Sequence, residues 1–153
     1  RYIDRPAVVP HAPFEIGRAE VAIEGTEVVI LSYGALFREA HEAAVQLIRR
    51  GRSVRLVNMR TLDPVDEGAI LAAAEARLVV VIEDHFRTGG LYSIVAETLL
   101  GAGRTAPVLP VSFPDRWFIP TLLDDVLRVE QLTPDHLVRR IEDALTHLPT
   151  GRP

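Results

Sequence analysis

Leu78-Val79-Val80-Val81-Ile82 is the stretch that most restricts what this chain can fold into. A continuous apolar run of this length, bounded by polar residues, reads as a strand rather than a helix. Because it does not alternate, it has no wet face and must be covered on both sides. Val28-Val29-Ile30-Leu31 repeats the pattern earlier in the chain. Two such strands call for helices above and below one sheet.

The intervening sequence supplies those helices. Leu36, Ala40, Ala43, Leu47 and Ile48 recur at helical spacing, and Gly51 stops the helix. Val54, Leu56 and Val57 form the next strand, and Asp66 can cap a helix carrying Ile70, Leu71 and Ala74. Gly89-Gly90 opens a third helix, with Ile94, Val95, Thr98 and Leu99 facing inward. Val108, Leu109 and Val111 give a last strand. Thr133-Pro134 then starts a helix whose inner face is Leu137, Val138, Ile141 and Leu145.

Strands alternating with helices predict a three-layer αβα domain around a mostly parallel sheet, with right-handed crossovers. The exception is expected near Glu20, where Val21 and Ile23 alternate with polar residues. Gly25-Thr26 then makes a tight turn into Val28, which predicts a hairpin and therefore one antiparallel edge strand.

Residues 14–148 read as one domain, residues 149–153 as a tail and residues 1–13 as an interdomain linker. Pro6, Pro10 and Pro13 keep that linker extended. A chain opening on Arg1 with such a segment is expected to be part of a longer protein.

Composition removes several function classes. There is no cysteine, so disulfides, thiolate metal sites and cysteine nucleophiles are excluded, and a cytoplasmic setting is the simplest expectation. The net charge of −4 and dispersed arginines speak against nucleic acid. No apolar stretch approaches the roughly 20 residues that span a bilayer. His11, His41, His136 and His147 are scattered without metal-ligand spacing, so no metal is expected. Ser32 follows a strand but lacks the glycine-x-serine-x-glycine setting of a hydrolase nucleophile. No residue here is assigned a catalytic role.

Two segments stand out. In open α/β sheets ligands bind beyond the C-terminal ends of strands, and Glu83, Asp84, His85, Arg87, Gly89 and Gly90 fall in such a place, read as a loop. Free amides at the following helix start could hold an anion. Equally, the glycines could simply let helix and sheet approach while Glu83 caps nearby. The second segment is Phe113-Pro114-Asp115-Arg116-Trp117-Phe118. Aromatics and arginine are enriched where proteins meet, so Phe113, Asp115, Arg116, Trp117 and Phe118 are candidate interface residues, or else a lid on the domain's own core.

The order of segments resembles the C-terminal domain of the transketolase family. The resemblance is carried by Phe14 to Glu20, Val28 to Gly34, Val57-Asn58-Met59-Arg60-Thr61-Leu62-Asp63-Pro64-Val65-Asp66, Val81 to His85 running into Gly89-Gly90-Leu91, and Phe113-Pro114-Asp115-Arg116. It implies five strands, one of them antiparallel. It also implies thiamine diphosphate and Mg²⁺ held by other domains of the complete enzyme, with none bound by this chain. The expected role is non-catalytic: support and homodimer contacts for an enzyme of two-carbon ketol transfer, with that enzyme's remaining domains or subunit as partners. Arg87-Thr88-Gly89-Gly90 resembles instead the 2-oxo-acid dehydrogenase β subunit, which implies binding of an acyltransferase core. An anion-binding regulatory domain is the third expectation. Trp117-Phe118-Ile119-Pro120 departs from the family's usual small or polar turn.

Overall fold

The computed structural model describes residues 12–116 and 122–149. Arg1, Arg5, His11, most of the expected linker, Trp117, Phe118, Ile119, Pro120 and residues 150–153 lie outside the described residues. The strands are β1 (Glu20–Ile23), β2 (Val28–Ser32), β3 (Val54–Asn58), β4 (Leu78–Phe86) and β5 (Val108–Phe113). The helices are α1 (Phe37–Arg49), α2 (Glu67–Ala73), α3 (Leu91–Gly101), α4 (Leu123–Val129) and α5 (Pro134–His147). The sheet runs β1-β3-β2-β4-β5, with β1 antiparallel to β3 and every other pairing parallel.

The two apolar strands lie next to each other in the middle, Ile30 opposite Val80. Side chains alternate between two cores. Val28, Ile30, Leu78, Val80 and Ile82 meet Ala40, Ala43 and Leu47 of α1 and Leu137, Val138 and Ile141 of α5. Val29, Leu31, Val79 and Val81 meet Ile70 and Ala73 of α2 and Leu91, Val95 and Leu99 of α3. Burying each such aliphatic side chain contributes about 1.5–3 kcal/mol. The three-layer architecture and the single antiparallel edge strand agree with the sequence.

The antiparallel strand, however, does not form a hairpin with β2. It pairs with β3, with Glu20 opposite Asn58 and Val21 opposite Val57. The four residues from Glu24 to Glu27 carry the chain across the start of β3, so that β3 lies between the two strands that the turn joins. The crossing is held by Ser53, whose carbonyl accepts from Glu27 N at 2.9 Å and Val28 N at 3.0 Å. Gly25 rides directly on Val54. A Cβ at Gly25 would come within 2.3 Å of the Val54 carbonyl carbon, so only glycine passes here.

Other departures are local. Ile48, expected on the inner face of α1, is 42% exposed, because Phe37 and Ala44 complete that face instead. α4 was not foreseen as a helix. The Thr133 hydroxyl meets His136 Nδ1 at 2.6 Å instead of capping a backbone amide. Gly51 does end α1 as expected. It sits at φ 86, its amide donates to Ile48 O, and the Arg52 amide donates to Leu47 O. Gly103 closes α3 with the same pair of bonds, to Leu100 O and Leu99 O.

Gly25→Ala is expected to lower stability by about 3 kcal/mol, the upper end for overpacking against groups that cannot yield. Gly101→Ala, at a helical position with open space around it, should raise stability by about 0.5–1 kcal/mol. Urea unfolding of the two variants beside the parent checks both signs.

Candidate functional site

β4 outlasts its apolar run. Glu83, Asp84, His85 and Phe86 belong to the strand, not to a loop, and the alternation of the strand therefore separates them. Glu83 continues the face of Val79 and Val81 into the α2/α3 layer and is fully buried. Its carboxylate lies under the start of α3, accepting from Leu91 N at 2.7 Å and Tyr92 N at 3.2 Å. These are two of the amides that a helix start leaves without partners, and the macrodipole adds to the attraction. A Cβ on Gly90 would stand 2.0 Å from Glu83 Oε2, so glycine is what lets the carboxylate in.

An incoming anion at this helix start would therefore meet a carboxylate, not free amides. Burial raises the pKa of Glu83 above its ordinary value. The Tyr92 and Leu91 amides and His85 pull it down, while the charge of Asp84 adds to the rise.

Asp84 points to the opposite layer and accepts from Ala35 N at 3.2 Å. Gly34 sits at φ 65 against it, and a Cβ there would be 3.1 Å from Asp84 Oδ1. Tyr33, between these carboxylates, has its phenol pKa raised by burial first and then by the charges of Glu83 and Asp84. His85 is exposed, its Nδ1 2.8 Å from the Phe86 carbonyl oxygen. Asp84 and His85 thus do not converge on one point as an acid–base pair would have to.

Arg87 goes elsewhere. It lines a groove of about 720 Å³ between the ends of β4 and β5 and the end of α4, together with Phe113, Asp115, Arg116, Glu130 and Gln131. The two segments singled out in the sequence, Glu83 to Gly90 and Phe113 to Phe118, thus meet here through Arg87 and Arg116. Arg116 Nη2 donates to both oxygens of Glu130, at 2.7 and 2.9 Å. Phe113 packs partly against the core beneath, and Trp117 and Phe118 lie outside the described residues.

Sequence reasoning missed Glu130 and Gln131. Their one signal was a polar pair before Leu132, which is fully buried. Among the described residues no three of His, Asp or Glu gather where a metal ion could be held, and no helix is long and apolar enough to cross a membrane.

Comparison with known proteins adds the family. Residues 17–137 match the model described as transketolase, C-terminal domain. The chain is 43% identical over 106 residues to a 1-deoxy-D-xylulose-5-phosphate synthase of Synechococcus sp., covering 69% of this chain and 16% of that protein. It is 38% identical over 126 residues to the enzyme of the same name from Methylacidiphilum infernorum, covering 82% and 19%. The chain thus spans less than a fifth of the length of these relatives. Among solved structures, a split-gene transketolase described as an inactive β4 tetramer superimposes with a TM-score of 0.83 at 33% identity. That match covers 95% of this chain and 48% of the other.

Glu83 yields a pH signature. Its folded-state pKa is raised, so the folded protein keeps a proton that the unfolded chain releases near pH 4.5. Its contribution to stability is fully present below that pH. It falls as pH rises to the folded pKa and is level beyond. Denaturant titrations across this range should show that slope in the parent and a flatter one in Glu83→Gln. Glu83→Ala, which strands two helix-start amides, should cost about 2–3 kcal/mol at neutral pH.

Proposed function

Because the chain belongs to the transketolase C-terminal domain family, we propose that it is the non-catalytic structural and dimerisation domain of a thiamine-diphosphate enzyme. The carrying observation is the family match over residues 17–137, joined to a sheet end whose polar groups bind other parts of the same chain. Glu83 is committed to α3 and Asp84 to the turn at Ala35. The described residues do not fit a site for thiamine diphosphate and Mg²⁺. The start of α3 at the end of β4 is filled by the Glu83 carboxylate, and among the described residues no metal-ligand cluster accompanies it. In this reading the cofactor and its metal belong to other domains or a companion subunit, in the cytoplasm.

The whole enzyme would transfer a two-carbon ketol unit. Relatives named 1-deoxy-D-xylulose-5-phosphate synthase support the synthase branch, and the split-gene transketolase supports an arrangement in which catalytic parts sit on a separate chain. Homodimer contacts fall to Phe113, Asp115 and Arg116, the described part of a segment that continues in sequence to Trp117 and Phe118. Phe86 and Val129, which line the groove beside these residues, are exposed apolar side chains, at 41% and 69%. Residues 1–13 would link this domain to what precedes it.

Calorimetric titration of the chain with thiamine diphosphate and Mg²⁺ is expected to give no saturable heat, and sedimentation should give a dimer. Micromolar cofactor binding would overturn the non-catalytic assignment. A strict monomer at high micromolar concentration would remove the dimerisation role.

A further inference from the structure

We propose that the groove between the ends of β4 and β5 and the end of α4 binds the phosphoryl group of a small phosphomonoester, held by Arg87 and Arg116 with the Gln131 amide beside them. The inference goes beyond the structural role above, requires no catalytic residue, and gives Arg116 to a ligand in place of a dimer contact.

The groove lies outside the C-terminal ends of two parallel strands, where open α/β sheets take their ligands. Its arginines are prepared for an anion in different ways. Arg87 has a fixed base and a free head. Its carbonyl accepts from Ser93 Oγ at 3.4 Å, and the same hydroxyl accepts from Gly89 N at 2.8 Å. Its guanidinium has no carboxylate or hydrogen-bond partner among the described residues. Arg116 is oriented instead. The Glu130 side chain is only 7% exposed and takes both its bonds from Nη2, which leaves Nε and Nη1 of a 55% exposed arginine to face solvent. A planar fork held this way suits the oxygens of a phosphoryl group.

The surroundings favour negative charge. Arg140 is half-buried near Arg87, donating only to the Pro110 carbonyl at 3.2 Å, without a carboxylate partner among the described residues. Burial, and next the charge of Arg87, lowers the pKa of this arginine. Two cations sharing a region without a counter-ion are relieved by a bound anion. Of the acids at the groove, Glu130 is committed to Arg116, and Asp115 opposes the ligand.

Gln131 gives the independent sign. α4 ends with the bonds that close α1 and α3: Gln131 N to Arg128 O and Leu132 N to Leu127 O. α1 and α3 place Gly51 and Gly103 at that left-handed position, whereas α4 places Gln131 there at φ 57. Glycine would serve the turn without strain. A strained side chain lining a groove is the pattern expected where a ligand uses it. The volume, about 720 Å³, is that of small-molecule sites and larger than a free phosphate needs.

The test is NMR and calorimetric titration of the chain with inorganic phosphate and with glycerol 3-phosphate. Saturable binding of both is expected, tighter for the ester, with shifts at Arg87, Arg116 and Gln131. Equal affinity would keep the site but make free phosphate its ligand. Arg87→Ala should weaken binding about tenfold or more without lowering Tm. Asp115→Asn should tighten it, and Gln131→Gly should raise Tm while weakening it. Absence of saturation by either anion in the millimolar range, or unchanged affinity in Arg87→Ala, would overturn the proposal.

Discussion

Everything in this domain follows from two adjacent strands that are apolar on both faces. β2 and β4 cannot meet water on either side, so each face has to be covered by a helical layer, and each helix must bring an apolar stripe. Parallel pairing of the two strands requires a crossover, which places α1 and α2 on opposite faces on the way from β2 through β3 to β4. The helices thus hold the sheet only because the sheet leaves them no other arrangement.

The polar groups answer a second requirement, that helix starts packed against the sheet find acceptors for their amides. Glu83 does this for α3 from inside the strand. Asp66 does it for α2, with Oδ1 accepting from Ala69 N and Oδ2 from Ala19 N, both at 2.9 Å. One carboxylate thereby ties the segment leading into β1 to the second helix. Charge at the sheet ends serves architecture in these two cases. Arg87 differs because nothing among the described residues uses its guanidinium head.

The sequence made the core and the layer order legible because both follow from local periodicity. Ile30, Val80, Leu137 and Ile141 announce their burial by spacing alone. The end of β4 was hidden because Glu83-Asp84-His85 looks like a loop. It is a strand because amides brought from α3, distant in local pattern, make a buried carboxylate tolerable there. The β1 pairing was hidden for a related reason. A short turn reports the relative direction of two strands and says nothing of a third strand placed between them. Gln131 was invisible because a left-handed backbone leaves no mark on a residue that is not glycine. The meeting of Arg87 with Arg116 depends on β4 and β5 being neighbours, which no spacing in the sequence encodes.

The crossing at Gly25 also orders events in time. β1 and β2 are neighbours along the chain, yet β1 has no partner until β3, some thirty residues later, is in place. It cannot nucleate with β2 as a local hairpin, and its closure is a long-range step. The parallel strands β3, β2, β4 and β5 can assemble without it. β1 can dock only once β3 is present, and its departure would uncover the edge of β3 together with the core residues on which Ala22 and Ile23 pack.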